Sequence, residues 1–484
     1  MSDTVGTLLA ARADRGGHPL LICDGDTLSY AEADRRSGEL GAGLLALGAG
    51  KGTHIGVLHP NGPEFVVAML AAARIGAVVV PFSTFATAAE IRAQLLDSDV
   101  SIMVSASSYR GHDYRDRLSR TADIPCLRHV LFAPPAATVG EERMLAMQAD
   151  VDGSDVLAII YTSGSTGAPK GAVHTHAGLL GHQRNLNEIR GLGPSDVLFC
   201  NSPFFWVGGF AFGLLATLVA GSTLVCSNAT DAGATLDLLE AVQPTITNGF
   251  VAGIAHLTRH PSFADRRFTA RRGNLYPIMA PEVRPADPES RHNMLGMTEA
   301  GSVLLIDGDE TDQPEHRRGS FGRPAPGFET KVADTGELCI RGPYAMQGYY
   351  GRAREDCFDA DGWFHTGDLV RVDADGYFHY LARAGSMIKT AGANVTPGEV
   401  VKAIAARGFT AHVTGLPDDE RGQIVAAVIV SEEPVDTDAL RSALRADLSA
   451  YKVPRRFAVC RPDAVPVLSS GKVDMPALTR LFDD

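Results

Sequence analysis

The segment Tyr161-Thr-Ser-Gly-Ser-Thr-Gly-Ala-Pro-Lys170-Gly171 gathers hydroxyls, glycines and a lysine behind an apolar run. Glycines let backbone N–H groups approach an anion, hydroxyls donate to phosphate oxygens, and lysine adds charge. The spacing is not G-x-x-x-x-G-K-[ST], so this is not a Walker A loop. A plain polar turn uses similar residues, and loop chemistry alone leaves phosphate binding and a simple turn both open. Further along, Thr298-Glu299 sits in Gly296-Met-Thr-Glu-Ala-Gly301, where a carboxylate beside a hydroxyl could hold Mg²⁺ against a polyphosphate. Asp368, in His365-Thr-Gly-Asp368, could accept two ribose hydroxyls or simply cap a turn. Lys472, in Leu468-Ser-Ser-Gly-Lys472, lies twelve residues from the C-terminus and by itself reads as a solvated charge.

The elements that must carry these residues alternate helix and strand in the first third of the chain. Ser29 followed by Glu32 is a capping box, opening a helix that runs to Gly48 with Leu40, Leu44 and Leu45 on its apolar side. Residues 54–58 read as a strand, 62–76 as an apolar-faced helix and 77–81 as a short buried strand. That rhythm implies parallel sheet covered by helices, and it resumes at 156–161 and 223–226. From about 319 short strands alternate with turns at Thr335-Gly336, Asp361-Gly362 and Asp375-Gly376. Residues 369–372 and 377–380, around an Asp-Gly turn, predict a β-hairpin. A compact α+β unit follows, with a helix after Pro397, a strand at 425–430, a helix carrying Leu440, Leu444 and Leu448, and a strand near 457–459. The expected fold class is α/β, with a large N-terminal domain over 1–382, a hinge at 383–386 and a small C-terminal domain over 387–484.

Composition bounds the function. The 484 residues suggest about three structural units. With 45% hydrophobic and 21% charged residues, the chain is core-forming rather than disordered. Its net charge of −13 argues against nucleic acid as a partner. Seven cysteines with no C-x-x-C suit a reducing cytoplasm rather than a disulfide scaffold or zinc ribbon. The N-terminal MSDTVGTLLAARADR has no basic region followed by an apolar run, so no signal peptide is expected. Residues 201–228 carry no charge, yet Gly208, Gly209, Gly213 and Gly221 break them into loop, helix and strand. A buried core segment is expected there rather than a membrane span.

Taken together and in this order, these four motifs and Arg383, which sits where the large domain ends, resemble those of the acyl-adenylate-forming superfamily: acyl-CoA synthetases, adenylation domains and beetle luciferases. The texture is closest to the fatty-acid or aryl-acid CoA ligase branch, and the similarity covers nearly the whole chain. The resemblance implies stacked mixed sheets with flanking helices and a β-barrel-like subdomain in the large domain, plus a mobile C-terminal lid. It also implies a two-step reaction using ATP, Mg²⁺ and CoA: a carboxylate attacks the α-phosphate to give acyl-AMP and pyrophosphate, then a thiol displaces AMP. By the same resemblance Thr162, Ser163, Gly164, Ser165, Thr166, Gly167 and Lys170 match the phosphate loop. Thr298 and Glu299 match the α-phosphate and magnesium site, with Thr166 a second metal contact. Asp368 matches the ribose-binding acid, Arg383 and Lys389 the further nucleotide contacts, and Ala391-Gly392 the thiol tunnel. Lys472 matches the lysine that bridges carboxylate and phosphate. The implied partners are a small-molecule carboxylic acid, ATP and CoA, with a homodimer left open. An acyl-AMP ligase delivering to a carrier protein or an amine, and a non-catalytic nucleotide-binding homologue, remain alternatives.

Three departures stand out. Leu295 replaces the tyrosine that in relatives stacks on adenine. Only thirteen residues separate Ala280-Pro281 from Leu295, implying a missing helix beside the acyl pocket. Gly385 occupies the hinge position usually held by an acid or lysine. For the acid itself, Ser202-Pro-Phe-Phe-Trp206-Val-Gly-Gly-Phe210 has Trp206 where relatives often have histidine. With Phe205, Phe250 and Gly296 it predicts an apolar acyl pocket. No aspartate lies between Asn201 and Asn228 to hold an α-ammonium group, so an uncharged acyl tail is favoured. Arg259, Arg266, Arg267, Arg271 and Arg272 could meet the CoA 3′-phosphate or form a solvated face. His174 and His176 read as polar caps around the phosphate loop.

Overall fold

The computed structural model describes residues 4–121, 123–162, 170–384, 388–390, 393–395, 397–418, 421–445, 447–448, 451–468 and 472–483. The chain divides into two compact units, residues 1–330 with 340–364, and residues 331–339 with 365–484. It is a mixed α/β fold, as the alternation of helical and strand patterns requires.

Two six-stranded sheets form the frame of the first unit. One runs Arg272–Gly273, Ile246–Asn248, Val197–Cys200, Thr223–Cys226, Pro19–Cys23 and Asp26–Ser29. All its neighbours are parallel except the last pair. The other runs Lys170–Thr175, Val156–Thr162, Val78–Pro81, His54–Leu58, Ile102–Ser105 and His129–Leu131. It is parallel apart from the antiparallel Lys170–Thr175 edge. The helix Pro63–Arg74 is buried along its whole length except at Glu64 and is correspondingly apolar almost all round. Its single cation, Arg74, is buried but fully engaged by Asp34, Ser37 and Gln148. The predicted capping box holds: Ser29 accepts from the Glu32 N–H and Glu32 accepts from the Ser29 N–H, starting the helix Tyr30–Ala46.

Residues 207–220 form a short helical run, Val207–Gly209, a π-turn over Phe210–Leu215, and Ala216–Ala220, before the strand Thr223–Cys226. Among the described residues no helix is long and apolar enough to cross a membrane. Between Arg272 and Leu295 only 3₁₀ turns occur among the described residues, matching the shortened stretch.

The second unit contains the hairpin strands Phe364–Val372 and Phe378–Arg383, which extend further than the four-residue arms read from the sequence. It continues with the helix Pro397–Ala405, the antiparallel pair Thr410–Asp418 and Gly422–Val430, the helix Thr437–Leu444, and the parallel strand Arg456–Cys460. Val400, Ile404, Val413, Val425, Ile429, Leu440 and Leu444 close its own core. The strand Thr410–Asp418 carries no strict alternation and escapes the sequence reading.

Candidate active site

The strand Val156–Thr162 is buried along most of its length and pairs antiparallel with Lys170–Thr175, with Thr162 opposite Lys170. The two ends of the predicted phosphate loop are therefore fixed side by side. Ser163, Gly164, Ser165, Thr166 and Gly167 lie outside the described residues. Gly171 has to be glycine: a Cβ there would stand 2.5 Å from Ile159 Cγ2 and 2.9 Å from the Tyr161 ring.

Segment 346–350 runs beside the Lys170–Thr175 edge. The Gln347 N–H donates to the Val173 carbonyl, Val173 N–H to Gly348, and Tyr350 N–H to Gly171. The isolated antiparallel bridge between Ala172 and Tyr349 delivers Tyr349 between two of the predicted site residues. Its hydroxyl donates to Glu299 Oε1 at 2.6 Å, and Lys170 Nζ lies 5.2 Å from its ring centroid. Lys170, Tyr349 and Glu299 thus form one continuous array of cation, phenol and carboxylate. Tyr349 was not legible as a site residue; the only signal was an aromatic pair between Gly348 and Gly351.

Thr298–Ala300 is a single 3₁₀ turn closed by Gly301 in the left-handed region at φ +66°. Two buried histidines brace it. His174 Nε2 meets the Thr298 carbonyl at 2.8 Å, and His182 Nε2 meets the Val303 carbonyl at 2.8 Å. Both must carry the proton on Nε2 to donate. Burial pushes each imidazole pKa down to about 4, so both are neutral at neutral pH. His176 is likewise buried and neutral, its Nδ1 accepting from the Val5 N–H. The loop-cap reading of His174 and His176 is replaced: His174 braces the Glu299 turn, and His176 ties down the first helix. The Met346 N–H donates to the Glu299 carbonyl at 2.8 Å, completing the brace.

Leu295 and Gly296 lie on the strand Leu295–Met297, paired with Ser302–Ile306. Among the described residues, Tyr349 is the one hydrogen-bond partner of the Glu299 carboxylate, so Oε2 remains available. A hard, partly exposed oxygen donor of this kind fits Mg²⁺.

The acyl-pocket candidates divide. Phe85, Phe205, Trp206 and Phe250 form an edge-to-face row with successive centroid separations of 5.5, 5.6 and 6.0 Å. Phe250 is 56% exposed and Phe85 37%. Phe210 stands apart, fully buried and packed against Phe65 in the main core. A cavity of about 370 Å³ opens beside Phe85 and Phe205 and is also lined by Asn61, Arg110, Asn201 and Asn228. These side chains follow the carboxyl ends of parallel strands from both sheets, where open α/β sheets bind ligands. Neither the cavity nor Arg110 was read from the sequence. In the proposed basic cluster, Arg266 pairs with Asp237 and Glu240, Arg271 with Glu282, and Arg272 with Asp196. The solvated, ion-paired reading therefore accounts for three of those arginines.

In the second unit Asp368 and Arg383 are register partners across the hairpin, and Arg383 Nη1 donates to Asp368 Oδ1 at 2.7 Å. Asp368 is buried while Arg383 is half exposed. Lys389 sits on the strand Ile388–Thr390 opposite Asn394, and its side chain lies outside the described residues, as do Ala391, Gly392 and Gly385. Lys472 is exposed, its carbonyl accepting from the Leu468 N–H at 2.7 Å.

Comparison with known proteins matches the chain to one family. Residues 9–350 match the model of the AMP-binding enzyme, and residues 409–472 that of the AMP-binding enzyme C-terminal domain. The chain is 31% identical to a feruloyl-CoA synthase of Amycolatopsis sp over 505 residues, covering 99% of each. It is 30% identical to the 3-[(3aS,4S,7aS)-7a-methyl-1,5-dioxo-octahydro-1H-inden-4-yl]propanoyl:CoA ligase of Mycobacterium tuberculosis, covering 96% of each. Among solved structures, ATP-bound MatB from Rhodopseudomonas palustris superposes with a TM-score of 0.82 at 25% identity, covering 100% of this chain and 99% of that one. The chain belongs to the AMP-binding enzyme family, the acyl-adenylate-forming enzymes, in its acyl-CoA synthetase branch.

Proposed function

We propose that the protein activates an apolar carboxylic acid with ATP to an acyl adenylate and then transfers the acyl group to the thiol of CoA. The observation that carries this reading is the Lys170–Tyr349–Glu299 array beside the paired ends of the 163–169 segment. Joining a carboxylate to a polyphosphate brings two anions together, so the site must offer fixed positive charge and a metal-holding carboxylate. Lys170 supplies the first next to the hydroxyl-rich segment. Glu299, with Thr166, would hold Mg²⁺, whose charge neutralises phosphate oxygens. The neutral imidazole of His174 fixes the Thr298 carbonyl without adding a charge that would compete for the anion.

Asp368 and Arg383 serve the nucleotide as a pair: the arginine engages one carboxylate oxygen and leaves the acid to accept ribose hydroxyls. Lys389 adds a further nucleotide contact. Lys472 reaches the reacting carboxylate and α-phosphate during the first step, and Ala391-Gly392 lines the thiol path in the second. Residues 383–386 are the pivot between these steps, where Gly385 makes a large φ/ψ change inexpensive. Leu295 offers adenine apolar contact in place of stacking.

Support for an uncharged, aryl or alkyl acyl group comes from the Phe85–Phe205–Trp206–Phe250 row, whose two outer rings remain substantially exposed. Exposed aromatic surface of this extent is stabilised by an apolar ligand. The feruloyl-CoA and 4-coumarate–CoA ligases among the relatives make phenylpropenoic acids the first group to test. Pyrophosphate release over a panel of aryl, alkyl, dicarboxylic and α-amino acids, with and without CoA, tests the proposal. Acid-dependent release with thioester formation is expected for uncharged tails. Release without thioester would redirect the second step to another nucleophile, and silence across the panel would refute the enzyme reading.

A further inference from the structure

Glu337 and Cys339 are two residues apart on the strand Glu337–Arg341, so their side chains share one face. His365 stands on the neighbouring strand Phe364–Val372. His365 Nδ1 lies 3.0 Å from Glu337 Oε2 and 3.5 Å from Cys339 Sγ, and the three donor atoms all fall within 4.8 Å of one another. We propose that this trio is a binding site for a thiophilic divalent cation of the Zn²⁺ class.

Tetrahedral Zn²⁺ holds sulfur at about 2.3 Å and nitrogen or oxygen at about 2.0–2.2 Å, which sets S···N near 3.6 Å and N···O near 3.4 Å. The sulfur–nitrogen separation of 3.5 Å and the nitrogen–oxygen separation of 3.0 Å lie within about half an ångström of those edges, and the sulfur–oxygen pair, within 4.8 Å, has to draw together on the ion. The donor set of thiolate, imidazole and carboxylate selects zinc-like ions over Mg²⁺ or Ca²⁺, which take oxygen. It is therefore chemically distinct from the Glu299 carboxylate. The carboxylate is also oriented in advance, because Glu337 Oε1 accepts the Gly367 N–H at 2.7 Å and leaves Oε2 turned toward the imidazole. Cys339 is buried whereas His365 is 45% exposed. An ion would enter from the His365 side and keep a water at its fourth position. Binding converts the Cys339 thiol to a thiolate, and the proton leaves to solvent. The bound ion would clamp residues 365–367, immediately before Asp368, onto the 337–339 strand.

The test uses the full chain, stripped with a chelator and titrated with Co²⁺ as a spectroscopic stand-in, then with Zn²⁺. Stoichiometric Co²⁺ uptake is expected, with a sulfur-to-cobalt charge-transfer band that Zn²⁺ abolishes. Cys339→Ser removes the band, and His365→Gln weakens Co²⁺ affinity by at least about tenfold. Absence of the band in the native sequence overturns the site, and so does a band that survives Cys339→Ser, since another cysteine would then be the ligand. His365 is half exposed and its replacement spares the buried wall, so unchanged affinity in His365→Gln overturns the assignment even if Cys339→Ser fails to fold.

Discussion

Replacing Tyr349 by Phe isolates one atom of the Lys170–Tyr349–Glu299 array. The ring stays under Lys170, and only the hydroxyl that donates to Glu299 at 2.6 Å is lost. A hydrogen bond to an ionised partner contributes about 1.5–3 kcal/mol. Glu299 is partly exposed, so water replaces part of that, and the lower end, about 1.5 kcal/mol, applies. That converts to roughly a tenfold fall in kcat/KM for pyrophosphate release. Because the hydroxyl orients the carboxylate expected to hold Mg²⁺, the half-saturating Mg²⁺ concentration should rise in the same variant. Tyr349→Leu also removes the ring face, costing a further ~0.5–1 kcal/mol of cation–π attraction and a further two- to fivefold in rate. Pyrophosphate release at varied Mg²⁺ is the assay, with Tyr349→Phe, Glu299→Gln and the double variant forming a cycle. If Tyr349 acts through Glu299, its effect shrinks once the carboxylate is gone. Fully additive effects, or an unchanged Mg²⁺ dependence in Tyr349→Phe, refute the reasoning.

Three more outcomes follow from the same structure. Lys472→Ala should lower acyl-AMP formation by about 10²–10³, the effect of losing one charge contact worth ~2.7–4 kcal/mol, while preformed acyl-AMP still reacts with CoA; an unchanged pyrophosphate-release rate rules out the role given to this lysine. Trp206→Ala removes the centre of the aromatic row and should raise KM for an aryl acid about tenfold or more, leaving KM for ATP unmoved; equal shifts for both substrates would assign Trp206 to the fold. His182 and His176 are held near pKa 4 by burial against an ordinary 6.5, so the unfolded chain binds their protons first as pH falls. Their stabilising contribution is complete above pH 6.5 and drains away toward pH 4, on the order of 1–2 kcal/mol per ring by pH 5. The melting temperature should therefore drop between pH 7 and pH 5, less steeply in His182→Gln, and identical slopes would count against this account.

The residues that repeat a local pattern were readable from the sequence. The Ser29–Glu32 cap, the Pro63–Arg74 helix and the Thr223–Cys226 strand follow from capping chemistry and periodicity, and the structure reproduces each. Tyr349 was hidden for the opposite reason. Its place beside Glu299 depends on a bridge to Ala172, 349 − 172 = 177 residues earlier in the chain, and no local spacing encodes that register. Phe210 and Trp206 looked alike as pocket aromatics four positions apart. A π-turn starting at Phe210 rotates one into the core while the other joins the exposed row, a distinction fixed by tertiary packing. His174 and His182 carry no distinguishing neighbours either; their carbonyl partners lie more than a hundred residues away.

The ladder that sets Thr162 opposite Lys170 has an entropic consequence. The seven residues 163–169 span two ends that the sheet already holds together. Doubling that span would add only about 0.6 kcal/mol of closure entropy, too little to unfold a domain of this size. Folding by itself therefore sets little limit on the length of this segment. A chain lengthened there is expected to keep its architecture, with a melting temperature close to that of the original.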